Sequence, residues 1–288
     1  MIIGIDIGNF NTKSSKGVIF ESKVSKVGSL LGSKYNLVLN DEEYKIGEGN
    51  FDTEFRKINK ENYLKLLFGS LALSDVGNEV QLVLGLPISQ YKADREELIE
   101  KVEEHYHLQG SLNNKQYNVY ITNVDVYPEG IASVEDNFKG IVVDIGGRTT
   151  DCTLLSVKNN KRIIEHPVSI PIGTLNLYSD FINAINGKYS LDLKIDDTER
   201  LLKGGLKIKG EKRDIKFGKD IFIDFIKDLI SKLRVEYSLD TYDICFTGGG
   251  SILLEGIIRS LLPYSHVKSD GLMSNANGFK KYGESLWL

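Results

Sequence analysis

Apolar residues fall along this chain in two patterns. Residues 2–7 form a short run that is apolar at nearly every position. That pattern predicts a strand buried on both faces, since a half-exposed strand would alternate. Residues 80–86 (VQLVLGL) read the same way and stop at Pro87. Further strands are predicted at 117–122, at 243–247, and at 141–145 and 152–157 around a glycine-rich turn. Helical spacing fills the intervals. Phe222, Phe225, Ile226, Leu229, Ile230 and Leu233 keep it within residues 219–239. Asp94-Arg-Glu-Glu97 resembles a capping box, with Leu98, Ile99 and Val102 following on one face. Helices are also expected at 128–137, with a proline near the start, and at 251–262, ending at Pro263. Alternating strands and helices indicate an α/β protein.

An internal echo runs through this pattern. Residues 4–12 read GIDIGNFNT and residues 142–150 read VVDIGGRTT. Each has an apolar strand, then Asp-Ile-Gly, then a threonine six places after the aspartate. Asp6 and Asp144 lie 138 positions apart in a chain of 288 residues. A repeat at that distance suggests two domains of one design, not a short-period solenoid.

Composition narrows the function classes. Hydrophobic residues make up 41% of the chain, enough for a sizeable core, and the net charge of −4 provides no global drive toward nucleic acid. The basic run of Lys203, Lys207, Lys209, Lys212, Arg213 and Lys216 reads as a solvated face. Cys152 and Cys245 both sit in apolar strand-like runs, with no metal-ligand spacing, which fits reduced buried thiols and a cytoplasmic protein. The first residues lack the basic start of a signal peptide. No run reaches the roughly 18 apolar residues of a membrane span, so no membrane association is expected.

Four segments can carry chemistry. In Asp6-Ile7-Gly8-Asn9-Phe10-Asn11-Thr12-Lys13 a buried strand ends in a carboxylate and enters a tight turn. Gly8 allows close approach of the backbone, turn amides can cradle phosphate oxygens, and Lys13 adds positive charge. Asp6 would repel a phosphate, so its place makes sense if a hydrated Mg²⁺ lies between them. The second copy, Asp144 to Asp151, offers Gly146 and Gly147 for still closer approach. Thr149 and Thr150 supply hydroxyls or simply begin the next strand. Arg148 reads first as a surface charge, with a phosphate contact the alternative. Thr247-Gly248-Gly249-Gly250-Ser251 joins a strand to a helix and could admit a flat or anionic group; it is neither a dinucleotide fingerprint nor a P-loop. Pro128-Glu129-Gly130-Ile131-Ala132 precedes the second copy, and Glu129 there could position an attacking water or simply complement a helix dipole.

Taken in order, these segments resemble the superfamily of actin, heat-shock chaperones and sugar kinases. Asp6 to Lys13 resembles its first phosphate motif, Asp144 to Asp151 its second, and Gly248 to Ser251 its adenosine motif. Residues 128–132 resemble the first connecting helix, and Ala276 and Gly278 the second. Within the superfamily the chain is most similar to the ParM (StbA-like) bacterial actins that segregate plasmids. The resemblance implies the actin-like ATPase fold, with two similar α/β domains around a nucleotide cleft: residues 1–138 plus 274–288, and 139–273. It implies ATP or GTP with Mg²⁺, Asp6 and Asp144 acting on the metal through water, and Glu129 orienting the hydrolytic water. Gly173, Thr174, Glu199 and Lys203 are added as nucleotide contacts. The implied partners are further copies of the chain in a head-to-tail filament and a DNA-bound adaptor of ParR type, with no direct contact to nucleic acid. Two other readings stay open: a small-molecule kinase resembling type III pantothenate kinases, and a non-catalytic actin-like scaffold.

Overall fold

A computed structural model describes residues 1–26, 34–159 and 161–288. The first half builds ten strands: β1 (Ile2–Ile7), β2 (Asn11–Ser14), β3 (Ile19–Glu21), β4 (Lys23–Ser25), β5 (Asn36–Leu39), β6 (Glu42–Ile46), β7 (Asn50–Phe51), β8 (Glu79–Leu86), β9 (His107–Leu112) and β10 (Lys115–Pro128). They form one sheet in the order β3-β2-β1-β8-β10-β9-β5-β6-β4-β7. The second half adds β11 (Gly140–Ile145), β12 (Thr150–Lys158), β13 (Lys161–Ile170), a hairpin of β14 (Leu206–Ile208) and β15 (Glu211–Arg213), then β16 (Ile244–Thr247) and β17 (His266–Val267). Five of these form a sheet ordered β13-β12-β11-β16-β17. Helices α1 (Tyr63–Leu73), α2 (Ile88–Glu103), α3 (Thr174–Tyr189), α4 (Thr198–Gly204), α5 (Gly218–Glu236), α6 (Gly248–Leu253), α7 (Glu255–Leu261) and α8 (Ser274–Trp287) complete the fold.

The fully apolar strands lie where their composition requires. Ile3, Ile5, Val80, Leu82 and Leu84 are buried in one core with Leu66, Leu67 and Phe68 of α1. Ile141, Val143, Ile145 and Phe246 share a second core with Phe181 of α3 and Ile226, Leu229 and Leu233 of α5. Both cysteines are buried and free. The strand expected at 117–122 is the middle of β10, which is longer because it pairs with β9 up to Tyr120 and with β8 from Tyr120 onward, with an irregularity in the latter at Ile121/Asn123.

Three expectations are corrected. No α-helix spans residues 128–137: Pro128 still belongs to β10, Gly130 has φ 72°, and only a 3-10 turn, Ile131–Ser133, follows before Val134 is extended again. The chain uses this stretch to cross between sheets, so the connection is not the helix that the resemblance implied. Asp94 does not cap a helix. Pro87 ends β8 and α2 begins at Ile88, leaving Asp94 inside the helix, where it accepts a hydrogen bond from Arg56 Nε at 3.1 Å. The helix expected at 251–262 starts earlier, at Gly248, and is interrupted at the buried Leu254. Among the described residues no helix is long and apolar enough to cross a membrane.

The echo between the two turns holds in the backbone. β1 and β2 pair with Asp6 opposite Lys13 and Ile7 opposite Thr12. β11 and β12 pair with Asp144 opposite Asp151 and Ile145 opposite Thr150. Gly8 N donates to Asn11 O at 3.1 Å, and Gly146 N to Thr149 O at 2.9 Å. Helix α8, beyond the second sheet in sequence, returns to pack on β1 and β8. It crosses the 131–133 turn at Gly278, where a Cβ would fall on the Ala132 carbonyl. Gly278→Ala is therefore expected to destabilise by about 1–3 kcal/mol through overpacking. Gly187→Ala, in α3 with open space around it, should stabilise by about 0.5–1 kcal/mol. Urea denaturation of both variants checks the opposite signs.

Candidate functional site

The two turns face each other across a cleft of about 220 Å³. Its lining includes Asp6, Gly8, Asn9, Phe10, Asn11 and Lys13 from the first turn. Asp144, Gly146, Gly147 and Thr149 come from the second, and Gly248, Gly249 and Gly250 from the third glycine segment. Glu129, Thr174 and Glu199 line it as well. The turns approach closely: a Cβ at Gly147 would lie 2.8 Å from Phe10 Cβ. Gly248 has φ 84°, and a side chain there would strike Asp144 and the Ile145 carbonyl.

Other candidates serve the scaffold instead. Thr12 is buried, with its hydroxyl 2.9 Å from Ser22 Oγ. Thr150 Oγ1 donates to Ile172 O at 2.9 Å. Ser251 Oγ donates back to the Thr247 carbonyl. Gly173 packs on the second turn, where a Cβ would lie 2.6 Å from Gly146 O, and the amides of Thr174 and Leu175 donate to Gly146 O and Gly147 O. Lys203 is exposed and pairs with Glu199 at 3.1 Å, outside the cleft lining. Arg148 lies outside the lining too and donates to Thr53 O at 2.8 Å, a contact between the two halves.

Lys57, Asn275 and Asp151 line the cleft and were not among the expected contacts. Lys57, from the 3-10 turn Lys57–Asn59, is 1% exposed and sits between Asp6, at 3.5 Å, and Glu129, with which it forms a close ion pair. Asn275 of α8 accepts from Gly130 N at 2.9 Å and donates to Asp144 Oδ2 at 2.8 Å, joining both halves through one carboxamide. Asp151, opposite Asp144, accepts from Thr149 Oγ1 at 3.0 Å, while its Oδ1 is buried with no hydrogen-bond partner. Asp151 stood in the second motif, but Lys57 and Asn275 leave no local signal, because only chain crossings bring them here.

The electrostatics of the two turns differ. Burial raises the Asp6 carboxyl, but Lys13 at 2.7 Å and Lys57 pull it down further, and it ends below its ordinary value. Asp144 is raised by burial, with the Asn275 hydrogen bond opposing. Burial lifts Asp151 to about 6, with the nearby Ser169 hydroxyl opposing and Asp144 adding to the rise. Glu129 is pushed up to about 7, chiefly by burial, with Lys57 opposing. The first turn is thus compensated by direct ion pairs, and the second holds two carboxylates hydrogen-bonded to neutral groups, with Lys13 and Lys57 acting only at longer range.

This donor set suits a hydrated divalent cation. Among the described residues no group of three or more His, Cys, Asp or Glu side chains converges, and Mg²⁺ needs only one or two carboxylates beside waters and phosphate. The adjacent buried carboxylates of Asp151 and Asp144 would hold water-bridged positive charge. Beside the cleft lies an apolar groove of about 610 Å³ whose walls include Leu201, Leu202, Phe222, Gly256 and Ile257. Leu253 lines both spaces. The mouth is bridged by Lys23 Nζ, 2.9 Å from Asp196 Oδ1, and by Phe10, which stacks on Phe51 at 5.3 Å and meets the edge of Tyr178 at 6.1 Å.

Two sheets, each sending a matched turn into a shared cleft, make this a protein of the actin-like ATPase fold. The family described as actin like proteins N terminal domain matches residues 4–131, and the archaeal actin homologue MreB-like C-terminal family matches residues 142–259. The chain belongs to the actin-like proteins. Among solved structures it is similar to a 15-stranded ParM filament from Clostridium botulinum, at 20% identity, TM-score 0.82 and 99% coverage of both chains. It is also similar to the pCBH ParM non-polymerisable quadruple mutant, at 19% identity, TM-score 0.81 and 99% coverage of both. The archaeal actin homolog Ta0583 in complex with ADP matches at 18% identity, TM-score 0.81 and 99% coverage of both. No curated protein matches the chain.

Two outcomes test the electrostatics. Lys57→Met leaves Asp6 and Glu129 facing each other without their shared cation and should destabilise by about 3–5 kcal/mol, read from urea denaturation. The folded Glu129 keeps its proton to about 7, against 4.5 ordinarily, so between these values the folded state binds more protons than the unfolded one. Its contribution to stability therefore falls as pH rises through that window. The stability of Glu129→Gln relative to the parent should rise from pH 4.5 to 7 and then level off; a pH-independent difference would contradict the shift.

Proposed function

We propose that this protein binds a nucleoside triphosphate with a divalent cation in the cleft, hydrolyses it, and uses the cycle to control assembly of identical subunits into a filament. The observation that carries this reading is the pair of equivalent turns facing each other over buried carboxylates. Turn amides between Gly8 and Asn11 and between Gly146 and Thr149 can hold phosphate oxygens from opposite sides. Domains of residues 1–138 plus 274–288 and 139–273 would then close on the ligand about the 129–139 crossing and Gly278.

Residues that would hold Mg²⁺ through water are Asp144, Asp151 and Asp6, and the bound ion would neutralise charge on the transferred phosphoryl group. Glu129, ionised above about pH 7, orients the attacking water and accepts its proton. Lys57 holds Glu129 in place. The apolar groove at Leu202 and Leu253 takes the base by stacking on its walls and provides little to separate ATP from GTP. ADP in Ta0583 and the ParM filament support the nucleotide and the assembly parts of the reading.

Filament growth follows from a head-to-tail contact, which is heterologous and does not close. Closure biased by the γ-phosphate makes the filament a ligand-driven two-state device. Plasmid segregation through a DNA-bound ParR-type adaptor, in the cytoplasm, is the biological role we assign.

Light scattering and phosphate release, with ATP and Mg²⁺ over a protein concentration series, test this. Scattering and release should both appear above a threshold concentration. Glu129→Ala should still assemble but release phosphate at least about 10²-fold more slowly. A rate independent of protein concentration but dependent on an added small substrate would replace the filament with a kinase.

A further inference from the structure

Lys60 follows the Lys57–Asn59 turn and is 3% exposed. The other buried lysines have carboxylate partners: Lys57 has Asp6 and Glu129, and Lys23 has Glu21 and Asp196. Lys60 forms no ion pair with any described residue, and its Nζ donates to Asn9 Oδ1 at 2.5 Å. An amine cut off from water without a counter-ion is unfavourable in its charged form. Burial, with Lys57 adding to it, holds this amine down at about 7. The charged groups that act on it are Lys57 and Arg148, both positive, and Asp52 and Glu129, both negative.

Asn9 gives this arrangement a direction. Its side chain lines the cleft, whereas Lys60 does not. The ammonium is a donor only, so it holds the carboxamide oxygen and leaves the amide nitrogen as the other end. That nitrogen donates to no described residue.

We propose that Lys60 is a positioning residue for phosphate: it locks the Asn9 carboxamide with its N–H donors available to a phosphate oxygen, and it supplies a buried positive charge that only the anionic ligand completes. The inference rests on the nucleotide reading above and goes beyond it by assigning a role to a residue outside the cleft lining. It carries an unusual consequence. Lys60 burdens the free protein and favours the occupied one, so removing it moves stability and affinity in opposite directions. A residue that merely supports the fold would lower both.

The test uses Lys60→Met, Asn9→Ala and the double variant of the full chain. Titration calorimetry with a non-hydrolysable ATP analogue and Mg²⁺ reads affinity, and thermal denaturation without nucleotide reads stability. Lys60→Met should weaken binding about tenfold or more, with the melting temperature of the free protein equal to or above that of the parent. Asn9→Ala should weaken binding comparably, and the double variant should be no weaker than the weaker single variant, because both act through one contact. Unchanged affinity in Lys60→Met, a joint fall of affinity and melting temperature, or multiplying effects in the double variant would each overturn the assignment. Failure of the parent protein itself to bind the analogue would overturn the nucleotide reading, and Lys60's role with it. Binding by the parent with any of the three preceding outcomes would sink the Lys60 assignment alone.

Discussion

Four largely buried carboxylates line one cleft, and the rest of the structure is arranged around keeping them there. Asp6 and Glu129 surround Lys57, and Asp6 also meets Lys13. Asp144 and Asp151 have no ion pair among the described residues; their hydrogen bonds come from the neutral Asn275 and Thr149, with Lys57 acting on both from a distance. The asymmetry is notable because the two turns share one backbone design. At the register position where the first has Lys13, the second has Asp151. One difference of sign leaves the second turn with two carboxylates and no ammonium of its own.

The chain path makes this possible. After the second sheet the chain returns as α8 to the first, so Asn275 can touch Gly130 and Asp144 together. Close packing of Gly278 on Ala132 fixes where the two connections cross. Around that crossing, Lys268 Nζ donates to Ser133 O at 2.6 Å, and Arg162 to Ile131 O at 3.1 Å. A small apolar cluster of Ile131, Val134, Val142, Leu155 and Cys245 fills the space behind it. The crossing is thus stiff near the core, while the far mouth is held by side chains alone: Lys23 with Asp196, and Phe10 between Phe51 and Tyr178. These ties, an ion pair between a buried lysine and an exposed carboxylate together with ring contacts, are weaker than packed backbone.

What the sequence by itself determined was local. Fully apolar runs marked the buried strands because a strand covered on both faces has no position for a polar residue. The Asp-Ile-Gly echo marked both turns because each needs a carboxylate at a strand end and a residue without Cβ next to it. Helix boundaries were less legible. Asp94 mimicked a cap because its actual partner, Arg56, lies 38 positions away, and Pro128 looked like a helix start although Leu86 pairs with it in the sheet. Only the tertiary structure decided which hydroxyls are spent on the scaffold, as at Thr12, Thr150 and Ser251. It alone brought Lys57 and Asn275 to the cleft and Lys60 against Asn9 behind it. Their roles depend on burial and on which charges end up adjacent, and neither is set until distant segments of the chain cross.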